Sequence, residues 1–189
     1  KRQVIPLAPE EIRNTDGTDK QDCETNAGKR LIKKIRKTHP KLKIIITADS
    51  LHSKQPLIEE LREQKMEFVL AAKNGDHKIL MEWVDEHRKM GEILRLEKKD
   101  QKGRLHIYEW INNMPLNGNR ETVWVNYLEY WLMDKSKAGY HNSWTTDFKI
   151  EENNVEELVR IGRCKWKIEN ETFNTLKNQG YHIEHSFGH

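Results

Sequence analysis

Cysteine is scarce in this sequence: two residues in 189, Cys23 and Cys164, in unrelated segments. They form no disulfide framework and no metal-ligand spacing, so a reduced intracellular protein, cytoplasmic in location, is the expectation. Long apolar runs are missing as well. Nothing approaches the ~18 residues that mark a membrane span, and no signal-peptide pattern opens the chain, so no membrane partner is expected. Excess charge of one sign is also small, at +3. As a global figure that is weak ground for a nucleic-acid partner. Its distribution says more: Lys29 to Lys43 carries eight Lys/Arg and no acid. Such a stretch tracks phosphates or forms a solvated helix face, and both readings stand at this stage. Internal repeats and low-complexity tracts are absent. With 35% apolar residues, 33% charged residues and six Trp, the composition is that of a folded protein. The length fits one domain, or one domain carrying an inserted module.

Periodicity then divides the chain. "RQVIPL" reads as a short strand and "APEEIRNTDGTDKQ" as a turn-rich loop. "CETNAGKRLIKKIRKT" reads as a helix with Asp22 as N-cap, an apolar stripe of Leu31, Ile32 and Ile35, and a stop at His39-Pro40. "KLKIIITAD" reads as a central strand buried on both faces, because three consecutive Ile leave no polar side. "SKQPLIEELREQ" is a helix with Pro56 in its first turn and Leu57, Ile58 and Leu61 inward. "MEFVLAAK" is a second buried strand and "HKILMEWVDEHRKM" a further helix. This order implies an α/β sheet covered by helices. From Gly91 to Ile150 helical periodicity gives way to β-type runs ("EILRLEK", "RLHIYEWI", "TVWVNYLEYWLM", "SWTTDFKI") separated by Gly, Asn and Pro turns. Helical pattern returns at "ENNVEEL", where Asn153 and Glu156 have capping-box spacing, and it continues towards Gly180. The division expected is 1–90 for the first part of a core, 91–150 for a β-rich insertion and 151–189 for a final helix and C-terminal segment. The chain starts with Lys and ends at "HSFGH" without a closing element, which predicts a fragment at both ends.

Two carboxylates stand out. Asp49 ends a buried strand, and ligands in α/β sheets bind beyond the carboxyl ends of strands. Glu169 lies in "RCKWKIENETFNTLK", on the helix face shared by Trp166, Phe173 and Leu176, where a lone charge is costly. Each has a plain structural reading. Asp49 caps the next turn; Glu169 pairs with Lys165 at i−4. Together they have a chemical one: two carboxylates meeting at a sheet edge suit a divalent ion, and two such ions make a clamp for in-line displacement at phosphorus.

With "IIITADSLHSKQP", "FVLAAKNGDHK" and "GRCKWKIENETFNTLKNQGYHIEHSFGH" in this order, nearly the whole chain resembles the DDE-type transposases of bacterial insertion sequences. The subgroup with a β-strand insertion before the last acid is similar also in "PLNGNRETVWVNYLEYW" and "YHNSWTTDFKI". The resemblance implies an RNase H-like mixed sheet flanked by helices, with the β-rich insertion before the last helix. It implies metal-dependent DNA hydrolysis and strand transfer, with two Mg²⁺ or Mn²⁺ ions. By position, Asp49 is the second Asp and Glu169 the Glu, both metal ligands. The family's larger signature has Tyr seven and Arg four residues before the Glu and Lys seven after it. Gly162, Lys165 and Leu176 stand there, so the Tyr role has no support. The basic roles spread over Arg163, Lys165, Lys167 and Lys177 as DNA-binding residues.

The first Asp of the triad belongs on a strand before the first helix. "RQVIPL" contains no acid, and Asp16, Asp19 and Asp22 sit in the loop and helix start. The expectation is that this Asp lies upstream of Lys1 and that the fragment is inactive. DNA ends and target DNA are the implied partners, with a homo-oligomer when active and a nucleoid-associated location. An RNase H-like nuclease without strand transfer, and a non-catalytic DNA-binding remnant of a decayed element, are the alternatives. His182, His185 and His189 are read as structural or surface residues. Trp110, Trp124, Trp131 and Trp144 are read mainly as sheet packing, with stacking on a flipped base as the lesser reading.

Overall fold

A computed structural model describes residues 9–12, 22–134 and 137–165. The described residues form helix α1 (Glu24–Thr38), strand β1 (Ile45–Ala48), α2 (Gln55–Glu63), β2 (Glu67–Ala71), α3 (Lys78–Lys89), strands β3 (Leu94–Lys99), β4 (Leu105–Pro115), β5 (Trp124–Asp134) and β6 (Lys137–Thr146), and α4 (Val155–Gly162). The expected strand "RQVIPL" lies outside the described residues.

The helices form where the apolar stripes recur. α1 buries Ile32 and stops at His39, because a residue before proline is driven out of the helical region. Its N-cap is Cys23, not Asp22. The Asp22 carboxylate instead accepts two hydrogen bonds from Arg30, at 2.7 and 3.1 Å, which compete with a capping role. α2 has Pro56 in its first turn and buries Leu57, Ile58 and Leu61, as the pattern predicts. α4 is capped at Asn154 rather than Asn153, with no side-chain cap. Asn154 is engaged elsewhere: its side chain accepts from the Glu151 amide and donates to the Lys149 carbonyl, both at 2.9 Å. Glu156 pairs with Lys98 instead of reaching back.

All six strands join one sheet in the order β1-β2-β6-β5-β4-β3. β1 and β2 are parallel; every other neighbouring pair is antiparallel. The four strands between α3 and α4 therefore extend the sheet of the first two, through β6 on β2. β1 corrects an expectation. Among the described residues it is a four-residue edge strand, not a central one, and Ile45 is 41% exposed. β2 is the strand buried on both faces. Phe68 and Leu70 pack with Ile58, Leu61, Leu80 and Val84 under α1–α3. Val69 and Ala71 pack with Leu128, Trp144 and Val159 under α4. Each large side chain buried there contributes about 1.5–3 kcal/mol by removal from water.

β6 also starts earlier and ends earlier than "SWTTDFKI" suggests. Cross-strand pairing with β5 from Asp134↔Lys137 draws Lys137–Thr146 into the sheet. Asn126 and Asn112 then take the chain out of it. Asn126 donates to the Phe148 carbonyl at 2.8 Å, and Asn112 exchanges two 2.9 Å hydrogen bonds with the Ile150 backbone.

Arg36 fastens α1 to the strand layer. Its guanidinium donates to the carbonyls of Gln64 (2.8 Å), Leu42 (2.9 Å), Lys65 (3.1 Å) and His39 (3.2 Å). Lysine cannot reproduce that fork. Arg36→Lys is expected to lower the unfolding free energy by about 1–2 kcal/mol in urea denaturation, with the m-value unchanged.

Candidate active site at the carboxyl ends of the parallel strands

Parallel pairing puts the carboxyl ends of β1 and β2 on one rim. Asp49 is the first residue beyond β1, and its turn is closed by the His52 amide on the Asp49 carbonyl (3.2 Å) and the Ser53 amide on the Ser50 carbonyl (3.3 Å). The backbone of Asp49 closes this turn, so its carboxylate is not spent as a cap. Three side-chain contacts fasten the turn. Ser50 Oγ donates to Asp76 Oδ2 at 2.5 Å, and Lys54 Nζ donates to the Asp76 carbonyl at 2.8 Å. Ser53 Oγ and Thr145 Oγ1 are 3.0 Å apart. Hydrogen bonding from Ser50, aided by the Lys54 charge, holds the Asp76 carboxyl below the usual aspartate range. Next to it His77 is buried, which pushes its imidazole down to about 4; Lys54 adds to the effect and Asp76 opposes it.

The Asp49 carboxylate has two environments. Oδ2 lies 3.9 Å from Lys165 Nζ. Oδ1 lies 3.9 Å from His52 Nδ1, and both of these atoms are buried without a hydrogen-bond partner. A carboxylate oxygen left in that condition suits a cation. Among the described residues no group of three or more His, Cys, Asp or Glu side chains is close enough to hold a metal ion by itself.

α4 reaches the same rim from the opposite face. Val155, Leu158 and Val159 seat it on the Trp144 core. Gly162 then crosses the Trp144 indole so closely that a Cβ there would stand 2.5–2.9 Å from three ring atoms. This is the physical reason for glycine where the signature resemblance has tyrosine. The helix predicted to run unbroken from Asn153 ends at Gly162. Arg163 and Cys164 form a turn, and helical conformation resumes at Lys165. The Arg163 guanidinium lies over the Tyr140 ring, 4.5 Å from its centroid, and 5.9 Å from that of Tyr130. That stacking holds the face of the guanidinium and leaves its N–H edges for other partners.

Of the residues singled out in the sequence, Asp49 and Lys165 come together, and Arg163 sits one turn away on an aromatic cluster. Glu169, Lys167 and Lys177 lie outside the described residues, as do Asp16, Asp19, His182, His185 and His189. Asp76 and His52 escaped the sequence reading. Asp76 had the same signal as Asp49, an acid just past a buried strand. The basic stretch of α1 is largely used within the fold. Arg30 pairs with Glu10 and Asp22, Lys33 with Glu60, Lys34 with Glu10, and Arg36 with the carbonyls above.

A mixed sheet with helices on both faces, an acid at the carboxyl end of a parallel strand and a helix arriving beside it define the RNase H-like class. Within it, the chain belongs to the transposase DDE domain family, whose profile matches residues 9–188. No individual curated protein matches the chain. The family acts on DNA in transposition and recombination through nuclease chemistry, generally with divalent metal ions. No helix among the described residues is long and apolar enough to cross a membrane.

Gly162→Ala gains up to ~1 kcal/mol of helix propensity. It also drives a methyl into a buried indole that has nowhere to swing, and overpacking of this kind costs ~1–3 kcal/mol. The net expectation is a lower thermal midpoint and an altered Trp near-ultraviolet signal.

The lowered His77 value has a defined sign. Below the ordinary value of 6.5 the unfolded chain takes up a proton that the folded chain refuses. Stability is therefore full above that value and falls as pH drops towards about 4, with a slope of at most ~1.4 kcal/mol per pH unit. Urea midpoints measured across that window should flatten in His77→Asn.

Proposed function

We propose that this chain is a transposase catalytic domain in which Asp49 and Glu169 bind the metal ions that drive cleavage and joining of DNA. The observation that carries this reading is the approach of Lys165 to Asp49 at 3.9 Å. Lys165 stands four residues before Glu169, so the segment bearing the second carboxylate starts out at the first. The buried, unpartnered Oδ1 of Asp49 adds support, because it is an acceptor waiting for a cation.

On this reading the enzyme hydrolyses a phosphodiester at the element end: a water oxygen bonds to phosphorus, and the strand leaves with a free 3′-OH. That hydroxyl then attacks a phosphorus of target DNA, displacing a 3′ oxygen there. Bound Mg²⁺ or Mn²⁺ supplies Lewis-acid stabilisation of the attacked phosphate and of the attacking and leaving oxygens. Asp49 and Glu169 hold the ions. Arg163, Lys165, Lys167 and Lys177 orient phosphates, Arg163 with its fork edges while Tyr140 supports its face. Segments 1–90 and 151–189 make the catalytic core, and 91–150 is its insertion. The active form is a homo-oligomer on paired DNA ends, in the cytoplasm at the nucleoid. Phosphate contacts of this kind make DNA binding salt-sensitive.

The test is a nicking and strand-transfer assay on element-end DNA with Mg²⁺ or Mn²⁺, run on this chain and on one extended upstream. The extended chain should nick and join, and Asp49→Asn or Glu169→Gln should cut the rate by a factor of a hundred or more, about 2.7 kcal/mol of transition-state stabilisation. Nicking without joining identifies a plain nuclease. Binding without nicking in both chains identifies a non-catalytic remnant. Metal-dependent nicking by the chain as given, lost in Glu169→Ala, assigns the third acid to Asp16, Asp19 or Asp22.

A further inference from the structure

We propose that His52 is a metal ligand beside Asp49, and that its imidazole tilts the site towards nitrogen-accepting first-row ions such as Mn²⁺, Co²⁺ or Zn²⁺ relative to Mg²⁺. The proposal rests on the reading of Asp49 as a metal-binding carboxylate.

The geometry begins with two atoms. Asp49 Oδ1 and His52 Nδ1 face each other across 3.9 Å, both buried and both without a hydrogen-bond partner. That gap is too long for a hydrogen bond between them. It falls within the range that a shared cation can span. Ligand atoms about 2.0–2.2 Å from one ion stand roughly 3 Å apart when adjacent at a right angle and roughly 4.2 Å apart when opposite. Lys165 does not fill the gap, because it lies on the other oxygen, Oδ2.

The arrangement is fixed by the fold rather than by the two side chains. His52 is the fourth residue of the turn that Asp49 opens, and its own amide donates to the Asp49 carbonyl. Ser50 and Lys54 on either side are fastened to Asp76, and Ser53 meets Thr145 on β6. A ligand pair held in this way needs little reordering when an ion arrives. A neutral imidazole with Nδ1 unprotonated offers that nitrogen's lone pair. Mg²⁺ prefers an all-oxygen shell and keeps its waters; Mn²⁺ accepts an imidazole nitrogen more readily than Mg²⁺ does, and Co²⁺ and Zn²⁺ more readily still.

The full chain is titrated with Mn²⁺ and, separately, with Mg²⁺, and the Mn²⁺ complex is examined by electron spin-echo modulation for a coordinated nitrogen. The wild type should show that nitrogen, and His52→Ala and His52→Gln should lose it. Both variants should bind Mn²⁺ about tenfold more weakly, or worse, with a smaller loss for Mg²⁺. Circular dichroism identifies any variant that fails to fold; the Gln variant keeps a polar side chain at the position without an imidazole. Nitrogen modulation that persists in both variants, wild-type Mn²⁺ bound without a nitrogen, or no Mn²⁺ binding at all overturns the proposal. Loss of Mn²⁺ in Asp49→Ala with no effect of either His52 variant overturns it while the metal reading of Asp49 survives. Mn²⁺ binding untouched by Asp49→Ala overturns that reading, and this proposal with it.

Discussion

The molecule depends on a short antiparallel seam, the pairing of β2 with β6. Three residue pairs make it: Val69↔Thr146, Leu70↔Thr145 and Ala71↔Trp144. Through it, strands that arise between α3 and α4 become part of the sheet that carries Asp49. The seam sets Trp144 beneath the path of α4, and the indole admits only a glycine at position 162. α4 can then lie close on the sheet, and the chain leaving it reaches the rim where Lys165 meets Asp49. Thr145 in the same seam also meets Ser53 of the Asp49 turn. One pairing therefore positions both sides of the candidate site.

Charge is distributed with the same economy. The chain is rich in Lys and Arg, yet many of the basic groups are occupied by the fold. Arg88 reaches from α3 to Glu109 and Glu129 on the sheet, and Arg95 and His141 complete the shells of these two carboxylates. Arg62 joins α2 to Asp147 and to the Trp124 carbonyl. Such pairs contribute modest stability at the surface, but they specify how helices sit on the sheet. The cations best placed for a polyanionic partner are consequently those near the rim, not the basic helix that stands out in the sequence.

The rim itself is firm. Asp76, held by Ser50 and Lys54, ties the loop after β1 to the loop after β2. Buried, neutral His77 follows it at the start of α3. Such fastening holds the turn that carries Asp49 in place through contacts to the neighbouring loop.

The sequence by itself determined most of the local elements and the family. Stripes at Leu57, Ile58 and Leu61, the run Phe68–Ala72 and the stop at His39-Pro40 depend on neighbours a few residues away. The order of acids and surrounding blocks carries the resemblance to the transposase family. Only the tertiary structure decided what depends on residues far apart in the chain. Three consecutive Ile suggested a central strand, but among the described residues β1 lies at an edge, because centrality is a property of pairing partners. Asn154 rather than Asn153 stands at the start of α4 without a side-chain cap, because distant Lys98 draws Glu156 away and the nearby backbone engages the Asn154 side chain. The glycine at 162 became intelligible once Trp144, eighteen positions earlier, was seen against it. Asp76 follows a buried strand as Asp49 does, and His52 was an ordinary polar residue in the sequence. Parallel pairing of β1 with β2 and closure of one turn bring them to the rim and to Asp49, and pattern along the chain carries no record of that convergence.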